Sequence, residues 1–239
     1  MSLREPLGVL STLHHPLLPY FLDALAPLEA TVEPVVLLDR RDFAPKDLKI
    51  FEARTQGAFP AREPAEWLKR YRHDTVDDHN ACGPWMRAQG IRLLANAGTP
   101  RRLSAELLRA AAIGVLNVHP GLLPKYRGAT CCEWAIYRDD PIGVTAHFMD
   151  EGIDSGPIVL TRRLAVRKGQ TYSEVRVALY RLAHAVGVEA IRMVMEQGMT
   201  RQSLPPQPDA GACFHAPMPD GLLEQVKDKL HKGTYAYAD

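Results

Sequence analysis

The chain has 239 residues, 46% of them hydrophobic and 24% charged, an ordinary composition for a globular protein of one or two domains. Twenty-nine basic against twenty-eight acidic residues leave a formal charge of +1, which excludes the broad positive footprint of a nonspecific nucleic-acid binder. No apolar run nears the ~20 residues that cross a bilayer, and the start MSLREPLGVL lacks a secretory apolar segment. A soluble, cytoplasmic protein without a membrane partner is expected.

Runs of strand length alternate with stretches of helical period. Gly8–Ser11 reads as a short buried strand, and Leu17, Phe21, Leu22 and Leu25 then recur at helical spacing, with Pro16 in the first turn. Val32–Leu38 is a second strand, whose Pro34 points to a sheet edge at its start. Residues 40–62 are charged and irregular and are expected to be mainly connection. Trp67, Leu68 and Tyr71 mark a short helix, and Asp77 caps another that runs toward Gln89 and stops at Gly90.

Ile91–Ala95 and Ile113–Val118 are strands, separated by a helix that Ser104 opens. Cys132–Tyr137 is helical, and Gly143–Met149 and Ile158–Val166 are extended. Thr171 with Glu174 three residues on forms a capping box for a helix reaching Gly198. Pro205, Pro206 and Pro208 break the chain, and Asp220–His231 closes it with Leu222, Leu223, Val226 and Leu230 on one face. That face either folds back on the core or supports a homodimer. The alternation predicts an α/β, Rossmann-like domain, its mainly parallel twisted sheet flanked by helices, over residues 1–200, with a short helical extension over 201–239.

Cys82, Cys131, Cys132 and Cys213 show no CxxC and no ligand spacing, so no metal site is expected and they read as small hydrophobes. His14, His15, His73, His79, His184 and His215 have no companions that suggest chemistry and read as structural. So does His147, which alternates with Thr145.

The informative stretch is Asn117-Val-His119-Pro-Gly-Leu-Leu-Pro-Lys-Tyr126-Arg127-Gly, followed by Gly143-Val-Thr-Ala-His147-Phe-Met-Asp150-Glu151-Gly-Ile153-Asp154-Ser-Gly-Pro. Asn117 and His119 are two apart at the end of an apolar strand, which puts both side chains on one face beside a C-terminal crevice. Asp154 sits in a turn after a second strand. An amide, an imidazole and a carboxylate contain no nucleophile. They suit an acyl transfer in which the substrate attacks, the amide donates to the developing oxyanion, and the imidazole and carboxylate donate or accept the proton. An amine is the natural attacker.

These motifs, in this order, resemble the formyltransferases that use 10-formyltetrahydrofolate, a family acting on glycinamide ribonucleotide, methionyl-tRNA or nucleotide-linked amino sugars. The resemblance covers residues 91–160. It implies Asn117, His119 and Asp154 as the catalytic trio, with Asn117 and His119 polarising the formyl oxygen and Asp154 positioning His119. It implies 10-formyltetrahydrofolate as co-substrate, held by Gly98, Arg101 and Leu103 on one loop and by Asp150, Glu151 and Ile153 on the other. Tyr126 and Arg127 are weaker candidates for contact with the acceptor. The turn after the first strand, Ser11-Thr-Leu-His14, lacks the glycine of glycinamide ribonucleotide enzymes, and residues 201–239 are too few for the RNA-binding domain of the tRNA enzymes. An amino-sugar nucleotide is therefore the leading acceptor. A formyltetrahydrofolate hydrolase and a glycinamide ribonucleotide enzyme are the alternatives, and a non-enzymatic folate-binding protein ranks last.

Overall fold

The computed structural model describes residues 4–239. In chain order the elements are β1 (Glu5–Thr12), α1 (Leu18–Ala24), β2 (Val32–Asp39), α2 (Pro45–Thr55), α3 (Pro64–Trp67), β3 (Arg72–Val76), α4 (Gly83–Ala88), β4 (Leu93–Asn96), α5 (Ala105–Ala110), β5 (Gly114–His119), β6 (Arg127–Gly128), α6 (Cys131–Tyr137), β7 (Gly143–Phe148), β8 (Ile158–Arg163), α7 (Tyr172–Gln197), β9 (Phe214–His215) and α8 (Asp220–His231). Seven strands form one sheet in the order β3-β2-β1-β4-β5-β7-β8. The first five pair in parallel, while β7 and β8 join antiparallel. This is the mainly parallel, Rossmann-like sheet that the alternation predicts.

Side-chain alternation divides the core. Leu7 and Val9 of β1 with Val36 and Leu38 of β2 face α1 and α7 in one apolar cluster. Leu10, Val35 and Leu37 face α4 and α5 in the other. The long helix α7 is held at one end by the Thr171–Glu174 capping box and at the other by Gly198 in the left-handed region, at φ 65°.

Several boundaries differ from the sequence reading. Residues 40–62 contain α2, whose buried side chains are only Phe51 and Thr55, too narrow a stripe to show as a period. Strand β3, Arg-His-Asp-Thr-Val, is an edge strand with four of five residues exposed, so backbone pairing to Val35–Asp39 holds it without an apolar pattern. Helix α1 begins at Leu18, so Pro19 rather than Pro16 occupies its first turn. The expected helix from Asp77 is split: Asp78 caps a single 3₁₀ turn through the Asn80 N–H, and α4 starts anew at Gly83.

The C-terminal segment folds back on its own chain. Val226 and Leu230 are buried against the core that includes α6, and Lys229 Nζ donates to the Ile136 and Tyr137 carbonyls at its end. Of the four residues read as a possible dimer face, these two are therefore covered from within. No helix among the described residues is long and apolar enough to cross a membrane.

Candidate functional site

Strand order reverses between β2 and β4 on either side of β1, and a doubly wound sheet opens its ligand crevice at such a switch point, outside the carboxyl ends of the strands. Three loops meet there: after β1 with His15, after β4 with Gly98, and after β5 with Pro120. They border a cleft of about 240 Å³ whose wall includes Asn96 and Asn117, with Tyr180, Ala183 and His184 of α7 opposite. Gly98 is required at its edge. Its φ of 106° is left-handed, and a Cβ there would collide with the His15 ring.

Asn117 lies directly opposite His147 in the antiparallel β5–β7 pair, so both point to one face of the sheet. Asn117 Nδ2 donates to His147 Nε2 at 3.2 Å, and Asn117 Oδ1 accepts from Asn96 Nδ2 at 3.0 Å. Asn96 Oδ1 in turn accepts the Gly98 and Thr99 N–H groups. The amide is thereby fixed in orientation by partners that run from the β4 loop to β7.

His119 and His147 flank Asp154. His119 Nδ1 stands 3.4 Å from Asp154 Oδ2, and His147 Nε2 stands 3.6 Å from Oδ1. Each ring turns its other nitrogen to a backbone carbonyl, His119 Nε2 to Tyr126 at 2.7 Å and His147 Nδ1 to Phe148 at 2.9 Å. A carbonyl only accepts, so each of those nitrogens carries a hydrogen, and each ring turns its other nitrogen toward the carboxylate.

Asp154 adopts the left-handed region at φ 50°, and its Oδ2 also accepts the Gly128 N–H at 2.9 Å. Burial works to raise its pKa, but the His147 hydrogen bond, the His119 charge and the Gly128 N–H together outweigh burial and hold it below the ordinary carboxylate value. His119 moves down from the usual imidazole value because burial outweighs the attraction of Asp154.

The structure places Asn117, His119 and Asp154 in one cluster, with Asn117 joined to the other two through His147. It adds His147, for which the signal was the pairing of a Gly-Val-Thr-x-His strand with the Asn-x-His strand. It also adds Gln207 from the C-terminal stretch. Gln207 Nε2 donates to the Asp154 and Gly156 carbonyls, and its Oε1 accepts from Arg127. No local signal marked it, because the contact spans some fifty residues of sequence.

Other candidates stand further back. Arg101 forks onto the fully buried Asp39, at 2.6 and 3.0 Å, and reaches the Asp77 carbonyl. Leu103 is buried in the α4–α5 cluster. Asp150 closes its own turn through the Gly152 N–H and the Ser155 hydroxyl. Glu151 is exposed, and its carbonyl accepts from Arg102, which ties the two loops together. Ile153 is half exposed on the same turn. Tyr126 is buried, its hydroxyl on Asp140, and Arg127 is engaged by Gln207. His15 and His184, read as structural from sequence, line the cleft beside Asn117. Cys131, next to this cluster, is no hidden nucleophile: burial, with the Asp154 and Glu133 charges, pushes its thiol up to about 12.

A doubly wound α/β sheet with its crevice at the switch point, carrying an amide and a carboxylate between two imidazoles, defines an enzyme-like ligand-binding domain. Residues 61–191 match the formyl transferase family, and the chain belongs to that family. It is 36% identical over 135 residues to a methionyl-tRNA formyltransferase of Deinococcus radiodurans, covering 56% of this chain and 40% of that relative. Another methionyl-tRNA formyltransferase, from Methylacidiphilum infernorum, is 40% identical over 118 residues, or 48% of this chain and 37% of its own length. The alignments thus span well under half of these relatives. Among solved structures, glycinamide ribonucleotide transformylase 1 from Symbiobacterium toebii superposes with a TM-score of 0.63 at 25% identity, covering 82% of this chain and 90% of that one. The formyltransferase PseJ from Anoxybacillus kamchatkensis, solved with UDP-4,6-dideoxy-4-formamido-L-AltNAc and tetrahydrofolate, shares the fold at a TM-score of 0.54 and 17% identity, covering 98% and 100%.

Proposed function

We propose that this protein transfers the formyl group of 10-formyltetrahydrofolate to a primary amine, giving a formamide and tetrahydrofolate. The observation that carries this reading is the cluster in which Asn117, at the cleft wall, is joined through His147 to Asp154 and His119, offering donors and a proton acceptor but no nucleophile of its own. The loops at 97–103 and 149–156 suit the co-substrate. They are joined by the Arg102–Glu151 contact, their charges are largely committed to one another or to Asp39, and they present peptide edges and apolar surface, which fits a flat, uncharged bicycle. Gly98, Glu151 and Ile153 would border it directly, whereas Arg101, Leu103 and Asp150 would act through the loops they brace.

The co-substrate supplies the formyl carbon and the nitrogen that leaves. Asn117 Nδ2 lines the cleft and would donate to the formyl oxygen as negative charge develops there on attack by the amine. His119 Nδ1 would take the proton that the attacking nitrogen sheds, directly or through water, Asp154 would hold the imidazolium so formed, and that proton would pass to the departing folate nitrogen as its bond to the formyl carbon breaks and the C=O reforms. His119 Nε2 stays on the Tyr126 carbonyl throughout, which keeps the ring oriented. His147, its Nε2 beside both Asn117 Nδ2 and Asp154, would keep the amide and the carboxylate aligned.

The acceptor we favour is a nucleotide-linked amino sugar. In this reading residues 1–200 form the catalytic domain, and the extension over 201–239 contributes Gln207 to it. The test is to supply 10-formyltetrahydrofolate with a panel of amines, the amino-sugar nucleotides among them, and to follow tetrahydrofolate by absorbance and the formamide by mass. Asn117→Ala is expected to lower kcat by roughly 10²–10³, the cost of one lost oxyanion donor, while folate binding persists. Formate release that needs no amine would identify a hydrolase instead, and full turnover by Asn117→Ala would end the reading.

A further inference from the structure

The cleft at Asn117 is polar in an unusual way. His15 Nδ1 is buried without a hydrogen-bond partner, and the ring stands against Gly98 at the cleft wall. Burial and the neighbouring His184 lower the His15 pKa to about 4, and burial does the same for His184. Both rings are therefore neutral at neutral pH, and neither Lys nor Arg lines this cleft. It suits hydroxyls and an amine, and it offers nothing that would compensate a buried phosphate.

His184 has a second side. It also lines a groove of about 650 Å³ between α1 and α7, so the two spaces share a wall. The groove floor is apolar, from Leu28, Ala58 and Val188, with the Tyr20 and Phe59 rings packed edge to face at one wall. Its charges are lopsided. Glu189 is paired with Arg162, and nearby Asp23 is taken by Arg62 and Arg70. Arg181 and Arg192 line the groove, exposed, with no carboxylate among the described residues at ion-pair distance. Arg181 lies one turn before His184 on the same face of α7, and Arg192 lies about two turns after it, roughly 12 Å in the other direction along the helix.

We propose that this groove holds the nucleoside diphosphate arm of the acceptor, with the diphosphate on Arg181, the base over the apolar floor beside Tyr20 and Phe59, and Arg192 at the distal end. This rests on the formyl-transfer reading and adds to it where the acceptor lies and why its charge sits away from the amine. The neutral cleft takes the amine-bearing ring next to Asn117, and Arg181, one turn from the shared His184, takes the anion.

The experiment is calorimetric titration of the full chain with uridine diphosphate, uridine and pyrophosphate separately, and with 5-formyltetrahydrofolate as an independent arm. Uridine diphosphate should bind more tightly than either fragment. Arg181→Gln should weaken it roughly tenfold or more, as the loss of a charge-assisted contact requires. Arg192→Gln should weaken it less, and both variants should bind 5-formyltetrahydrofolate as the parent does. Uridine diphosphate binding that is no tighter than pyrophosphate, or unchanged by Arg181→Gln, would overturn the proposal. So would a short RNA matching the 3′ end of a tRNA that occupies the groove while uridine diphosphate does not bind. Failure of 5-formyltetrahydrofolate to bind would instead sink the formyl-transfer reading and leave the groove result standing.

Discussion

Two opposing pulls meet at His119. Burial favours the neutral ring, and Asp154 at 3.4 Å favours the cation, with burial the larger. A ring that must accept a proton works when neutral, so activity should rise with pH and level off once His119 is deprotonated. Because its pKa is lowered, the midpoint of that acid limb is expected below the ordinary histidine value of about 6.5. Asp154→Asn removes the one influence that raises it strongly, so the limb should move further to acid while the plateau falls. A pH profile of kcat/KM for both forms checks this. A limb that stays in place would mean that the titrating group is not His119.

The element that delivers Asp154 is a turn rather than a strand or helix, and turns are ordinarily mobile. Here it is pinned from outside. Gln207 donates to the Asp154 and Gly156 carbonyls while accepting from Arg127, so one amide joins three segments. Gly128, at φ 97° and too close to the His215 carbonyl for any Cβ, presents its N–H to the carboxylate. Gln207→Ala leaves the buried Gly156 carbonyl and the half-buried Asp154 carbonyl unpaired, a loss of about 1–3 kcal/mol. It should lower kcat more than it raises KM for 10-formyltetrahydrofolate; unchanged kcat would show that the turn holds without it. This also marks what sequence could tell. The Asn-x-His spacing placed two groups on one strand face, and the capping box of α7 was legible because both signals are local. Gln207 and the Arg101–Asp39 fork were not, since each joins residues distant along the chain through side chains common on any surface. Edge strand β3 and helix α2 escaped for a related reason, as both bury too little to write a period.

At the scale of the whole molecule, the last stretch of chain closes a circuit back to the site. Helix α8 buries Val226 and Leu230, and beyond it the Tyr235 hydroxyl donates to the Asp140 carbonyl. The Asp140 carboxylate accepts from Lys125 and the Tyr126 hydroxyl, and the Tyr126 carbonyl is the partner of His119. The extension therefore braces the loop that orients the imidazole while making no contact with Asn117 or Asp154 through α8 itself. Leu230→Ala should cost about 2–5 kcal/mol through the cavity it leaves. For a domain of this size that corresponds to roughly 4–20 °C in Tm, readable by calorimetry. Because the chain's own core covers this face, the fall in Tm should be the same at low and high protein concentration, and turnover per folded molecule should change little. A Tm that climbs with concentration in the parent and loses that dependence in Leu230→Ala would show instead that α8 is shared between two copies of the chain.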